Sequence, residues 1–412
     1  MNKANLTNLA WWTLLGLLLL ATPLIGTIAA ALVLILTLLA SPVVFNKEAF
    51  NELKNQPMII LFSISFIVFA FFIAISVKSS RDLLVIFAFM PFLSSAVAYI
   101  LARKYASKKT AIIVLSLCLI GAALTVLVGL IDMYFLNSVR PRGFFSGVIT
   151  LSMVGTTLGV IAGMGFFLVD DFKKIIFLLG PIFAIIIIVL TQSRGTAIAL
   201  PALGFLYFIF AIRRTKTLKA KILVTIVLSI LAFGAFYYIT QQSGRIAALS
   251  NIFTLISEQG LSSLKTLNIR MEMYIAGWEL FLASPWIGYG WRNMGEYAVL
   301  SMGADKINGH LLRYFQFHND FINYAFSAGI FGIASFFAFL FAPLVGALKA
   351  PHDSMFGFRI EIILLMLALY AISGLTGGTL SHGLLISLYA MIGAIVLGAF
   401  RDETILEEKA KR

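Results

Sequence analysis

The sequence predicts an all-α membrane protein with about twelve transmembrane helices and one large loop containing amphipathic helices. Three observations predict it. Of 412 residues, 60% are hydrophobic and only 12% charged, with a mean hydropathy of +0.99; a soluble domain carries about 25% charge. The apolar residues fall in runs of about 20, the length that crosses a bilayer core. A single long hydrophilic stretch, 241–321, interrupts them. There is too little polar surface to cover a fold of this length in water, so lipid solvates most of the exterior.

Taken in order, the first spans are 9–24 and 27–44, which Pro23 and Gly26 divide into a tight helical hairpin. This opening run is too long for a signal peptide and has no convincing cleavage site, so it is expected to be retained as membrane helices. Spans at 57–76, 83–101, 111–133 and 146–168 follow. Cys118, the only cysteine, lies in the third of these and can form no intramolecular disulfide. Spans 174–191 and 195–212 are separated only by the stretch around Ser193 to Gly195. A ninth span at 221–240 precedes the loop, and spans 322–346, 358–376 and 381–400 follow it. The expected division is therefore nine helices in 1–240, a loop at 241–321, three helices in 322–400 and a tail at 401–412. No internal repeat or low-complexity segment is present.

The net charge is +13. In a soluble chain that would suggest a nucleic-acid partner; here it reflects positive-inside topology, and no nucleic acid is implied. With the N-terminus placed inside, twenty of the 31 basic residues fall in inside segments, in clusters at 103–109, 173–174 and 213–221 among others. Long loops are discounted in this comparison. Five remain in short outside segments: Lys78, Arg81, Arg140, Arg142 and Arg194. Both termini are therefore expected in the cytoplasm, with the 241–321 loop on the other side.

These five outward cations run against the topology rule. Arg194 is the sharpest case, since apolar runs flank the Thr191-Gln192-Ser193-Arg194 turn on both sides. An arginine near membrane depth costs at least about 2.5 kcal/mol on insertion scales, less where it snorkels. Guanidinium groups suit phosphate oxygens through bidentate hydrogen bonds. Several such groups near the headgroup level point to an anion site for a pyrophosphate-bearing lipid.

Within the loop, residues 269–281 read as a helix lying in the interface plane. Met271, Ile275, Trp278 and Leu282 recur at three- and four-residue steps, and Glu272 and Glu279 lie on the other side. Ser284-Pro285 through Gly288-Tyr289-Gly290-Trp291 ends it as an aromatic turn. Of the four histidines, His352 lies in an inside loop, His382 begins the last span and His310 sits in the outer loop. His318, followed by Asn319 and Asp320, stands at the outer mouth of the tenth span. An imidazole beside several arginines has its charged form disfavoured, stays neutral and can accept a proton. The His-Asn-Asp run also has the composition of a helix cap.

Three motifs carry a family resemblance. They are the Thr191–Arg194 turn; Arg270 with Trp278 and the Ser284-Pro285 to Gly288-x-Gly290 turn; and His318-Asn319 with Ile322 and Gly329. In order, spacing and topology the chain resembles the O-antigen ligase/polymerase superfamily of bacterial envelope proteins, and within it the O-antigen ligases. The resemblance implies a GT-C-like helical enzyme of the bacterial inner membrane with a periplasmic active site. It implies transfer of O-antigen from undecaprenyl pyrophosphate to a sugar hydroxyl of lipid A–core, without a metal or cofactor. By the same resemblance His318 is the base, Arg194 and Arg270 hold the pyrophosphate, and Gln192 and Asn319 support them. Lys78, Arg81, Arg140 and Arg142 are assigned to diphosphate binding.

The chemistry is coherent with these residues. Pyrophosphate is already a good leaving group, and positive charge fixed near its oxygens stabilises what develops in the transition state. Direct attack inverts the anomeric centre, and no pair of outward carboxylates demands a covalent route. Two other superfamily activities share the lipid donor and differ in acceptor: O-antigen polymerase and protein O-oligosaccharyltransferase. A transporter or flippase would show an internal repeat and matched broken helices.

Overall fold

In the computed structural model of the chain, residues 3–214, 222, 269–303 and 315–402 are described. The predicted ninth span at 221–240, the loop stretches that include His310, and the tail beyond residue 402 lie outside the described residues.

Among the described residues, ten helices are long and apolar enough to cross a membrane. They are Ala4–Ile25, Thr27–Val44, Pro57–Ile75, Ser80–Lys104, Lys108–Phe135, Val148–Leu168, Phe172–Thr191, Arg194–Arg214, Asp320–Leu348 and Phe356–Gly374. A shorter apolar helix, Gly383–Ala399, ends the series. Gly26, at φ 49, turns the first run into the predicted hairpin, and the Phe145 carbonyl accepts from Thr27 N across it.

Two helices form the centre. Every residue from Thr150 to Gly163, and every residue from Leu384 to Ala399, is buried. The Leu179–Thr191 and Lys108–Phe135 helices pack on the first, and Met90–Lys104 packs on the second. The outer helices leave large side chains bare, among them Leu39, Ile64, Ile67, Phe71 and Phe205. That pattern would be costly in water and is the normal lipid-facing surface of a helical membrane protein.

The helix directions sort the connections onto two ends. One end carries ion pairs: Arg103 with Glu52 at 3.7 Å, Lys108 with Asp170 at 3.4 Å, Arg214 with Glu361 at 2.5 Å and Arg359 with Asp353 at 2.8 Å. Arg359 is fully buried there and also donates to the carbonyls of Phe400 and Pro351. The other end carries residues 76–80, 136–147, 191–194, 269–303, 315–319 and 375–382.

The Asp320–Leu348 helix is broken at Ala328 and Gly329, where the backbone leaves helical geometry and Gly329 takes φ 58. The aromatic turn of the loop fills the break. Tyr289 N donates to the Phe326 carbonyl at 2.8 Å and Gly290 N to Ser327 at 3.0 Å, while Ile330 N donates to Pro285 at 2.8 Å. Backbone groups freed by a break must find partners at this depth, and the loop supplies them. A Cβ on Gly329 would overlap the Pro285 carbonyl, so the glycine serves both the left-handed backbone and the close approach.

The loop helix, Ile269–Ala283, forms where expected but faces differently. Its packed face is Met273, Ala276, Gly277, Leu280 and Phe281, not the Met271–Ile275–Trp278–Leu282 stripe. Trp278 is 41% exposed and Leu282 58%. Gly277 sits so close to Ile322 that a Cβ would overlap its side chain. Ala276 and Gly277 allow this close approach, and Met273, Leu280 and Phe281 pack beside them.

Candidate active site

His318 lies one residue before the cap of the Asp320–Leu348 helix. Asn319 is that cap: its Oδ1 accepts from Ile322 N at 3.2 Å, and its Nδ2 donates to the Leu375 carbonyl at 3.2 Å. Asp320 is fully buried, and its carboxyl oxygens accept from Thr379 N and Leu380 N, both at 2.9 Å. They also accept from the hydroxyls of Thr379 at 2.6 Å and Ser381 at 2.5 Å. Asn323 Oδ1 accepts from Phe317 N at 2.9 Å, and Tyr324 donates to the Leu380 carbonyl at 2.6 Å. The His-Asn-Asp run is thus both a cap and an anchor that ties the helix mouth to the 375–382 turn.

This anchoring holds His318 at φ 55. Non-glycine residues keep such a backbone only where the surroundings over-determine it. The imidazole is largely buried, and burial and the neighbouring Arg270 both push its pKa below the ordinary 6.5. It is therefore neutral at pH 7, the protonation state a base needs.

Arg270 Nη1 donates to the Thr376 carbonyl at 3.1 Å. Four residues on, the Tyr274 hydroxyl lies 3.1 Å from the Leu375 carbonyl and 3.3 Å from that of His318. Burial raises the Tyr274 pKa and Arg270 counters it, so Tyr274 is a neutral donor here. The residue after the second arginine also meets this turn. Gly195, next to Arg194, abuts Thr376 so closely that a Cβ would overlap its hydroxyl. The Leu375–Thr376 turn is thus the hub that gathers the His318 mouth, the Arg270 helix and the Arg194 turn.

Arg194 is exposed at the first turn of its helix, where unpaired backbone N–H groups add positive potential. Gln192 takes the left-handed conformation, φ 50, that reverses the chain between the two helices. Arg140 clamps this turn, donating from Nε to the Thr191 carbonyl at 3.1 Å and from Nη2 to Gln192 at 3.4 Å. Arg142 is exposed; its backbone N–H donates to Asp132 Oδ2 at 2.5 Å, fixing the 138–143 loop. Lys78 is engaged elsewhere, 2.6 Å from Glu296 Oε2, and that pairing raises its pKa. Arg81 is exposed beside it, at the start of the Ser80–Lys104 span. Hence Arg270 and Asn319 neighbour His318, Arg140 holds the Thr191–Gln192 turn, and Lys78 is tied to the 294–302 helix.

Sequence reasoning missed Tyr274, Asp320 and the 375–381 turn as parts of this arrangement. Asp320 was legible only as a capping residue. The turn's Thr376, Thr379 and Ser381 carry no local signature, because their partners lie 56 or more residues away.

Residues 176–337 match the family model described as O-antigen ligase. This match over part of the chain supports a place in the O-antigen ligase superfamily. The matched stretch takes in the 191–194 turn, Arg270, the 284–290 turn, His318 and Gly329. That family is one of glycosyltransferase-type activity in general, on lipopolysaccharide-related polysaccharide and lipid substrates. No curated protein matches the chain.

Proposed function

We propose that this chain is an O-antigen ligase. It transfers O-antigen from undecaprenyl pyrophosphate to a hydroxyl of lipid A–core at the periplasmic face of the inner membrane. One observation carries the reading: a neutral, partly buried His318 held beside Arg270, at a helix mouth tied to the Leu375–Thr376 turn that Gly195, next to Arg194, also meets.

In the proposed step the acceptor hydroxyl gives its proton to the His318 imidazole. Its oxygen attacks the anomeric carbon with inversion. The bond from that carbon to the pyrophosphate oxygen breaks, and undecaprenyl pyrophosphate leaves with the electron pair. Arg194 and Arg270 hold the phosphate oxygens, and the helix N-terminus at Arg194 adds to the field. Arg140 keeps the Arg194 turn in place, and Arg142 extends the cationic rim. Lys78 and Arg81 contribute at the rim once Glu296 releases Lys78.

The test is in vitro transfer from polyprenyl-pyrophosphate-linked O-antigen to lipid A–core, with a chelator present. Wild type is expected to form product and His318→Ala to lose at least about 100-fold in rate, the lower range for a general base. Glycan growth on the polyprenyl carrier, with none on lipid A–core, assigns the protein as a polymerase instead. Unimpaired transfer by His318→Ala removes the base.

A further inference from the structure

At the end of the molecule opposite His318, a groove of about 550 Å³ opens between the Thr27–Val44, Pro57–Ile75 and Met90–Lys104 helices. This is within the size range of ligand-binding pockets, about 300–1,000 Å³. Its walls are almost wholly apolar, and Leu38, Ile60, Ile64 and Leu93 are left 38–56% exposed along it. The lip is the short helix Lys47–Lys54, capped by Asn46, whose side chain accepts from Ala49 N. Phe50 and Leu53 of that helix turn into the groove, and Phe50 meets Phe45 edge-on at 6.1 Å. Glu52 reaches Arg103 at 3.7 Å and so ties the lip to the third wall.

Of the residues that line the groove, Lys54 alone is charged. Lys54 lines the mouth and has no ion-pair partner among the described residues. An apolar slot at bilayer depth with a lone cation at the interface fits an amphiphile with a hydrocarbon chain and an anionic head. We propose that this groove is a binding site for an anionic diacyl phospholipid. One acyl chain lies between the three helices and the phosphate sits at Lys54, in the leaflet opposite the His318 site. The site is separate from the glycosyl-transfer site and does not rest on it.

Native mass spectrometry tests this. The full chain is held in micelles doped with equal phosphatidylglycerol and phosphatidylcholine, for wild type, Lys54→Glu and Leu93→Trp. Wild type is expected to retain one phosphatidylglycerol, in preference to phosphatidylcholine by about fivefold, the factor for one lysine near an anionic surface. Lys54→Glu, an exposed change that leaves the walls intact, abolishes the preference; Leu93→Trp fills the slot and abolishes retention. Equal retention of the two lipids by wild type, an unchanged preference in Lys54→Glu, or a polyprenyl lipid as the retained species overturns the proposal.

Discussion

His318 shows how much a single backbone angle and one neighbour can set. Burial is the larger cause of its lowered pKa and Arg270 the smaller. The imidazole is therefore the free base above pH 6.5 and remains so some way below it. The acid limb of the transfer rate is expected below pH 6.5. Arg270→Gln moves that limb upward while leaving it depressed, because burial remains; a pH–rate profile of both proteins reads this. Stability follows the same sign. Below pH 6.5 the unfolded chain binds a proton that folded His318 resists, so this residue's contribution falls as pH drops. The backbone angle is separable from the chemistry. His318→Gly adopts φ 55 without penalty, so transfer is lost while the thermal midpoint is kept or raised.

At the scale of elements, the break at Ala328–Gly329 and the turn at 284–290 form one unit. Gly329→Ala requires both a left-handed alanine and movement of the Pro285 carbonyl. It is expected to cost at least about 1 kcal/mol, the low end for a strained backbone position, and to lower the thermal midpoint in fluorescence-detected size exclusion. Ile330→Ala keeps the backbone donor at the same break and exposes little new surface, so its effect stays within about 0.5 kcal/mol. The helices themselves were legible: runs of about 20 apolar residues match the ten membrane-length helices and the shorter Gly383–Ala399 helix among the described residues. The break was not. Residues 320–348 are continuously apolar across it, and its cause is a turn some forty positions earlier in the chain. The packed face of Ile269–Ala283 was misread for a related reason. Periodicity locates the large apolar residues, but the closest approach to the protein is made by Ala276 and Gly277, with Met273, Leu280 and Phe281 beside them. Within the site, His318, Arg194 and Arg270 could be picked out as outward polar residues; the 375–381 turn that joins them exists only through long-range contacts.

For the whole molecule, the two ends differ in kind. One is closed by ion pairs and a fully buried Arg359; the other presents the exposed Arg140, Arg142 and Arg194 and a partly buried imidazole. The charge bias favours the first end as the cytoplasmic one, which thiol labelling tests. Cys118 is buried and gives a silent background for thiol labelling. Ser80→Cys is expected to react with a membrane-impermeant maleimide added to intact spheroplasts. Ser354→Cys, exposed at the opposite end, reacts only after permeabilisation. Reversed labelling inverts the topology and moves the transfer site to the cytoplasm.

The stitched break also constrains the order of assembly. Residues 284–290 leave the ribosome before 326–330, yet their N–H groups bond to carbonyls that exist only once the later helix is in place. The turn must therefore wait, exposed, until the Asp320–Leu348 helix has been inserted. That helix in turn stays short of partners for Phe326 and Ser327 until the turn arrives. Each half protects the other from an unfavourable solvent, so the segment matures as a pair. A chain released before residue 330 would present an unfinished turn to the quality-control machinery of the membrane.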